Sequence, residues 1–169
     1  MTVLCETERL IIRQLDLGDA DFILRLLNDE SFIRYIADKN VRTHQDAINH
    51  LTNGPIASYK NHGFGLNLVQ LKGESTAIGM CGLLKREELD YPDLGYAFFP
   101  EFCGKGYARE AAEAVLKQAV AEHSMHTILA VTAPNNLRSM HLLESIGFSL
   151  TGTKELYGLE NNLFEYHGR

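Results

Sequence analysis

The spacing of apolar residues predicts one strand followed by two helices near the start of the chain. The run RLIIRQL (residues 9–15) is short and rich in branched apolar side chains, as strands are. In DLGDADFILRLLND (residues 16–29) apolar residues recur every three or four positions, which is the period of an amphipathic helix. THQDAINHLTN (residues 43–53) has the same period behind Thr43, a candidate N-cap, and the triplet NGP at residues 53–55 predicts the end of this helix.

Strands and helices alternate in the rest of the chain. Short apolar runs predict six further strands, at residues 64–71, 75–84, 94–99, 126–133, 148–157 and 162–167. Helical spacing covers residues 107–122 and 135–148, where Asn136 is a candidate N-cap and Gly147 followed by Phe148 is typical of a Schellman ending. This order predicts an α/β fold, a mixed sheet of about seven strands with helices packed on it. No repeat or linker divides the sequence, so residues 1–169 are predicted to form one domain.

Charge and composition narrow the possible functions. The 169 residues carry 16 basic and 22 acidic side chains, a net charge of -6, whereas proteins that bind nucleic acid usually carry a basic excess. No apolar run reaches the roughly 20 residues of a membrane-spanning helix, and the N-terminus shows no leader-like segment. The three cysteines are scattered, which is typical of reduced thiols, and neither they nor the seven histidines show the spacing of a metal site. We therefore expect a cytoplasmic protein that binds no nucleic acid, membrane or metal.

A glycine turn that leads directly into a helix is the first candidate binding site. In PEFCGKGYARE (residues 100–110), Gly104 and Gly106 flank Lys105. The sequence lacks the G-x-x-x-x-G-K-[ST] pattern of a nucleotide P-loop, and Arg109 occupies the position of the third glycine in a dinucleotide-binding fingerprint. Bare amides at a helix N-terminus can nevertheless bind a diphosphate, because glycines admit it closely and the helix dipole favours an anion. The alternative is a tight strand-to-helix turn without a ligand.

This turn and three further segments resemble the GNAT N-acetyltransferase superfamily, and most of all its ribosomal-protein N-terminal acetyltransferase branch. The segments follow the order of the family: TERLIIRQLDLGDADFILRLLND, IGMCGLL, DLGYAFFPEFCGKGYARE and NNLRSMHLLESIGF. The resemblance covers nearly the whole chain and implies a GNAT fold, with a central mixed sheet and helices on both faces. It also implies direct transfer of an acetyl group to a primary amine, with acetyl-CoA as co-substrate and no metal.

The family signature Gln/Arg-x-x-Gly-x-Gly/Ala falls on residues 103–108, with Cys103 in place of its first residue. In the family, the amides of this loop bind the coenzyme A diphosphate, and the preceding strand binds the pantetheine arm by its backbone. The resemblance therefore implies a coenzyme-binding set made of Ala97, Phe98, Phe99, Cys103, Gly104, Lys105, Gly106, Tyr107, Ala108, Arg109, Asn136 and Ser139. Direct transfer needs no covalent enzyme intermediate, so we expect Cys103 to be a bystander.

The catalytic residues that the resemblance implies are Ser139 and Asp93. The tyrosine that often serves the departing thiolate in the family corresponds to Leu143 here, whereas the ribosomal-protein branch carries an Asn-x-x-Ser pair that matches Asn136 and Ser139. The thiolate contact thus falls to Ser139, and a backbone amide near Phe98 polarises the carbonyl. Asp93 is the candidate general base, acting through a water. Four alternatives stay open: Ser139 as an ordinary helix-start serine, Asn136 as a cap only, Asp93 as a solvated acid, and an amine that needs no base.

The acceptor stays open between a protein N-terminus, a small amine and an aminoglycoside. In the family the first two helical segments form one wall of the acceptor site, and Asp29, Glu30, Tyr35 and Asp38 favour a polar, cationic acceptor here. A competing hypothesis is a non-catalytic acyl-CoA-binding protein, which the missing family tyrosine and the altered first residue of the signature would favour. The sequence does not decide between a monomer and a homodimer.

Overall fold

The computed structural model describes residues 2–168, which form eight strands and six helices. The strands are Val3–Glu6 (β1), Leu10–Gln14 (β2), Leu66–Leu71 (β3), Ala77–Leu84 (β4), Asp93–Phe98 (β5), Thr127–Thr132 (β6), Ser149–Leu156 (β7) and Leu159–His167 (β8). The helices are Ala20–Leu27 (α1), Glu30–Tyr35 (α2), His44–Leu51 (α3), Ala57–His62 (α4), Tyr107–His123 (α5) and Leu137–Ser145 (α6). Short 3-10 turns at Leu17–Asp19 and Pro100–Phe102 follow β2 and β5.

All eight strands belong to one mixed sheet in the order β1-β2-β3-β4-β5-β6-β8-β7. Neighbouring strands are antiparallel except β5 and β6, which are parallel. The predicted mixed sheet is confirmed, with one strand more than expected. The additional strand is β1, which pairs with β2 at the sheet edge, with Val3 opposite Arg13. Its four residues are too few to give a strand signal by themselves, so the pairing with β2 defines it.

Helices cover both faces of the sheet, as the resemblance implied. On one face, α5 and α6 pack on a core that includes Leu10, Ile12, Val115, Leu143 and Phe164. On the other face, α1 and α3 enclose a second core that includes Ile23, Leu26, Leu51, Leu68 and Phe99. Burial of these apolar stripes holds α5 against β4 and β5, which is the part of the fold that carries the candidate site.

The helical region between β2 and β3 differs from the prediction in two places. A new helix, α2, starts soon after α1 because Asp29 caps it, accepting from the N–H of Ser31 at 3.0 Å. The NGP triplet does not end the helical path, since Thr52–Ile56 forms a π turn that leads straight into α4. Pro55 has no N–H and its ring needs room in the preceding turn, and a π turn is wide enough to provide that room.

Helix α6 begins and ends as its sequence predicts. The side chain of Asn136 accepts from the N–H of Ser139 at 3.3 Å, which confirms the N-cap. At the other end Gly147 adopts a φ of 106° and donates its N–H back into the last turn, while the N–H of Phe148 donates to the carbonyl of Leu143. These two bonds form the predicted Schellman ending.

The sheet opens between β5 and β6. The two strands share a single paired position, Asp93 opposite Leu129, where the N–H of Leu129 donates to the carbonyl of Pro92 at 2.9 Å. Beyond this position β5 continues to Phe98 without pairing to β6, while its other side stays paired with β4. The opening leaves one row of β5 backbone groups without a strand partner, close in sequence to the start of α5.

Candidate active site

The backbone of β5 presents alternate residues to the opening. The N–H of Phe99 donates to the carbonyl of Ile78 on β4 at 3.0 Å, whereas the carbonyl of Pro92 points to β6. Backbone groups alternate in direction along a strand, so the N–H and C=O groups of Tyr96 and Phe98 face the opening. These are the groups that an extended ligand between β5 and β6 would meet.

Only one of the three β5-end residues expected to hold the pantetheine arm offers its backbone to the opening. Phe98 does, but Ala97 lies opposite Met80 with its backbone groups in the β4 ladder. Phe99 uses both of its groups within the protein, because its carbonyl also accepts from the N–H of Phe102 at 2.9 Å. The geometry therefore does not support a backbone contact from Ala97 or Phe99 to a ligand in the opening, whereas the backbone of Tyr96 faces the opening.

The glycine turn fits an anion. Gly104 and Gly106 have φ of 77° and 84°, in the left-handed region that favours glycine. A Cβ added to Gly104 would meet nothing within 4 Å, so its bare face borders open space. Gly106 is the N-cap of α5 and gives it no side-chain cap, whereas α3 and α6 have one. The first N–H groups of this 17-residue helix are left for an external acceptor, while Ala108 packs inward on the core.

The other side chains of the turn differ in what they contact. Lys105 is exposed and takes part in none of the ion pairs formed by residues 2–168. Arg109 pairs with Glu113 at 2.7 Å along the exposed surface of α5. Cys103 is half-buried, and its Sγ lies 3.7 Å from the carbonyl of Phe99 at the end of β5. Lys105 is thus the side chain whose charge is most available to a bound anion.

Arg9 braces the turn from a distant part of the chain. Its Nη1 donates to the carbonyl of Lys105 at 3.0 Å, its Nε donates to Glu110 at 2.7 Å, and its guanidinium lies 4.4 Å from the centre of the Tyr107 ring. Partial burial alone would raise the pKa of Glu110, but hydrogen bonds from Thr7 and Arg9 hold that pKa below its usual value. The carbonyl of Lys105, which would otherwise repel a diphosphate, is therefore bound by the Arg9 guanidinium. Sequence analysis missed Arg9 because no local pattern links residues 101 positions apart.

Ser139 meets a tyrosine that comes from β5. The serine lies half-buried in the first turn of α6, and its Oγ is 2.5 Å from the phenol oxygen of Tyr96. Tyr96 shares one face of β5 with Leu94 and Phe98, because side chains alternate along a strand. Burial raises the pKa of Tyr96 to about 12, although the hydrogen bond with Ser139 acts against the rise. Two hydroxyl groups therefore lie together where β5 borders the opening.

Comparison with known proteins identifies the family of this chain. The sequence model described as Acetyltransferase (GNAT) domain matches residues 9–149. The chain belongs to the GNAT acetyltransferase family. Among curated relatives, the uncharacterized N-acetyltransferase YnaD of Bacillus subtilis is 29% identical over 150 residues, which span 86% of this GNAT protein and 82% of YnaD.

Solved structures match the whole GNAT fold of the protein. An acetyltransferase from Agrobacterium tumefaciens has a TM-score of 0.86 at 22% identity, and the match covers 99% of this chain and 95% of that one. RimL, a ribosomal L7/L12 alpha-N-protein acetyltransferase solved in complex with coenzyme A, has a TM-score of 0.83 at 14% identity, with 98% and 97% covered. Identities this low establish the fold alone, so the roles of individual residues depend on the geometry of this GNAT site.

Asp93, the candidate general base of the GNAT protein, is not a solvated acid. Its side chain is 0% exposed at the start of β5, and its carboxylate oxygens accept from Nε and Nη2 of Arg86 at 3.1 and 3.0 Å. Burial raises the pKa of Asp93, and the Arg86 guanidinium opposes the rise. The interpretation as an exposed surface acid is therefore wrong. Its role as general base stays a prediction, and that role would require the contact with Arg86 to open.

The acids of the expected acceptor wall are bound by their own neighbours. Asp29 caps α2, Glu30 pairs with Arg34 at 3.2 Å, and Asp38 pairs with Arg42 at 2.6 Å. Asp29 thus accepts hydrogen bonds from Ser31, and the other two carboxylates pair with arginines four positions further along the chain. The geometry therefore does not support the preference for a cationic acceptor that these acids indicated in the sequence.

A groove of about 400 Å³ lies beside α3 and the loop that precedes it. Its lining consists of Lys39, Asn40, Val41, Asp46, Asn49, His50, Asn53 and Gly54. Burial lowers the pKa of Lys39 and of His50; the Arg86 charge adds to the effect on Lys39, and the Lys39 charge adds to the effect on His50. Lys39 therefore lies close enough to interact with both Arg86 and His50.

Residues 2–168 contain no group of three or more His, Cys, Asp or Glu side chains arranged to hold a metal ion. None of the helices within this range combines the length and the hydrophobicity needed to cross a bilayer.

Proposed function

We propose that this protein transfers an acetyl group from acetyl-CoA directly to a primary amine. One observation carries the proposal: the opening between β5 and β6 leads to the uncapped N-terminus of α5 with its bare glycine turn. A ligand with an amide-containing arm and a diphosphate fits this path, because the arm can bond the β5 backbone while the anion meets the α5 amides. Acetyl-CoA has this shape and supplies an activated thioester.

In the proposed reaction the amine nitrogen attacks the carbonyl carbon of the thioester. A C–N bond forms and the C–S bond breaks, the amine loses one proton and the departing sulfur gains one. The products are the N-acetylated amine and the thiol of coenzyme A. We assign the donor for the carbonyl oxygen to the N–H of Phe98, which faces the opening, and the donor for the sulfur to the hydroxyl of Ser139.

The residues around the turn hold the coenzyme in this proposal. The amides of residues 104–109 bind the diphosphate, and Lys105 adds an exposed positive charge. Asn136 fixes the first turn of α6 and with it the backbone of Ser139. Cys103, in contact with the carbonyl of Phe99, has no role in bond making.

We further propose that the acceptor is an α-amino group, as in the ribosomal-protein N-terminal acetyltransferase branch. An α-amino group has a pKa of roughly 8, so about a tenth to a third of it is neutral near physiological pH and a strong base is not required. This agrees with a site whose candidate base, Asp93, is bound to Arg86. RimL, which shares the fold, is an alpha-N-protein acetyltransferase by name.

We also propose that the whole chain acts as one domain in the cytoplasm, as a monomer or a homodimer. The two helical layers share a single sheet, which favours one folding unit. The thiols of Cys5, Cys81 and Cys103 are all free, as in proteins of a reducing compartment.

An acceptor screen tests the proposal. The purified protein is given acetyl-CoA together with peptides, polyamines or aminoglycosides, and both released thiol and acetylated product are measured. We expect acetylation of peptides with a free α-amino group and none of the same peptides with a blocked N-terminus. Tight coenzyme binding without transfer to any amine would overturn the proposal and support a non-catalytic acyl-CoA-binding protein.

The Ser139→Ala variant tests the contact with the departing sulfur. Loss of one such donor should lower kcat by about 10- to 1000-fold. The KM for acetyl-CoA should change less, because the contact strengthens as charge develops on the sulfur. Ser145→Ala is the matched control, since this hydroxyl donates to the carbonyl of Leu142 at the other end of α6. A kcat within twofold of the parent would show that Ser139 is only a helix-start residue.

A further inference from the structure

The hydroxyls of Tyr96 and Ser139 share a hydrogen bond in which either oxygen can be the donor, and their acidities decide the direction. Each hydroxyl has one proton to donate, and the two oxygens are 2.5 Å apart in a part-buried position. Burial raises the pKa of Tyr96 to about 12, so the phenol stays protonated at neutral pH. A phenol is also a stronger acid than an aliphatic alcohol, which makes it the better donor of the two. When Tyr96 donates to the Oγ of Ser139, the serine proton is directed elsewhere.

We propose that Tyr96 is a positioning residue for acetyl transfer: its phenol donates to the Oγ of Ser139 and so directs the serine proton to the coenzyme sulfur. This inference rests on the proposed acetyltransferase function. Leu143, which occupies the position of the family tyrosine, is 1% exposed in the core and has no proton to donate. In this protein the phenol therefore reaches the site from β5 rather than from α6.

Ser139 is held from two sides. Its N–H donates to the side chain of Asn136 at 3.3 Å, and its Oγ accepts from Tyr96. The backbone of Tyr96 also faces the opening between β5 and β6, so the residue that orients the serine borders the path of the pantetheine arm. A donor fixed in this way needs no reorganisation when negative charge develops on the sulfur.

Neither hydroxyl is consumed in the reaction. When the C–S bond breaks, its electron pair stays on the sulfur. The proton that ends on the sulfur is the one that the amine loses. Coenzyme thiol is a far stronger acid than the buried phenol, with a pKa near the roughly 8.5 of cysteine, so a phenolate is not formed. Tyr96 and Ser139 begin and end the cycle protonated, and their effect is confined to the hydrogen bond that the sulfur accepts.

Steady-state kinetics of Tyr96→Phe with an identified amine test this inference. We expect kcat to fall about tenfold, as for a lost orienting hydrogen bond, while the KM for acetyl-CoA stays within about threefold. The double variant Tyr96→Phe with Ser139→Ala should be no slower than Ser139→Ala alone, because Tyr96 acts through Ser139. A kcat of Tyr96→Phe within twofold of the parent would overturn the inference, and so would effects that multiply in the double variant.

Tyr166→Phe is the matched control. Its ring packs against Phe148, with centres 5.4 Å apart, in the same core, and its phenol has no hydrogen bond among residues 2–168. This variant removes a tyrosine hydroxyl without touching Ser139, and we expect it to keep the parental kcat. An equal loss of kcat in both variants would show that Tyr96 acts only through packing.

A second measurement does not depend on turnover. The thiol of coenzyme A bound to the protein is titrated by its thiolate absorbance between pH 6 and pH 9.5, a range that leaves the phenol of Tyr96 protonated. An oriented Ser139 proton stabilises the thiolate, so the thiol pKa should be lower in the parent than in Tyr96→Phe by about 0.5 or more. Equal thiol pKa values would overturn the inference, whereas a failure to acetylate any amine would count against the proposed function only.

Discussion

Replacement of Gly104 by alanine separates coenzyme binding from folding. The φ of Gly104 is 77°, and a Cβ placed there points into open space with nothing within 4 Å. Gly73, in the hairpin between β3 and β4, has a φ of 88° and the same open surroundings, but it lies away from α5. The two glycines therefore differ in whether a diphosphate is expected beside them.

The two substitutions should cost similar stability. An alanine in the left-handed region costs about 1–2 kcal/mol. The alanine also makes the unfolded chain less flexible, which offsets about 0.4–1 kcal/mol. A net cost of about 1 kcal/mol corresponds to a loss of roughly 2–4 °C in Tm for a chain of this size. Only Gly104→Ala adds a methyl group where the anion approaches, which should weaken acetyl-CoA binding by about tenfold or more, or about 1.4 kcal/mol.

Titration calorimetry with acetyl-CoA and thermal melts of both variants provide the assay. We expect parallel losses of Tm and a loss of affinity confined to Gly104→Ala. Gly106 is less suitable for this test, because a Cβ there would lie 3.2 Å from Nη2 of Arg9 and would disturb the brace as well. An unchanged affinity in folded Gly104→Ala, or an equal loss in Gly73→Ala, would refute the placement of the diphosphate at this turn.

Three further predictions follow from side chains around the site and the sheet. Cys103→Ala should keep turnover within a few-fold of the parent, and complete loss of activity in the folded variant would indicate covalent catalysis. Cys103→Arg should bind acetyl-CoA slightly more tightly, as measured by calorimetry. Arg9→Met should weaken the binding of acetyl-CoA several-fold but leave the binding of S-acetylpantetheine, which lacks the diphosphate, unchanged. Equal losses of affinity for both ligands would contradict the idea that Arg9 stabilises the diphosphate-binding turn. Burial alone would raise the pKa of Asp19, but the ion pair with Arg13 at 2.8 Å holds that pKa below its usual value. The stability that Asp19 adds over Asp19→Asn should therefore be full above a pH of about 4 and disappear as the pH falls through the lowered pKa. Denaturant unfolding at several pH values checks this, and a stability difference that does not change with pH would contradict it.

Local signals in the sequence determined most of the elements. The apolar period placed the long helix α5 and the strands of the sheet, and the residues around Asn136 and Gly147 fixed both ends of α6. The glycine turn was also visible, because left-handed backbone at Gly104 and Gly106 is a property of single residues and their neighbours. Such features depend on interactions over a few residues, which a sequence displays directly. At Pro55 the local signal was misleading, because a wider π turn accommodates this helix-breaking residue and the helical path continues.

The tertiary structure decided which side chains meet. The contact between Tyr96 and Ser139 joins residues 43 positions apart, and the contact between Arg9 and Glu110 joins residues 101 positions apart. The same holds for Asp93, for which the sequence left a solvated acid open as an alternative, whereas the fold buries its carboxylate beside Arg86. Each of these contacts depends on how the strands are ordered in the sheet and on which face a helix packs. No periodicity of 2.0 or 3.6 residues records that order, because it is fixed by burial of apolar surface summed over the whole fold.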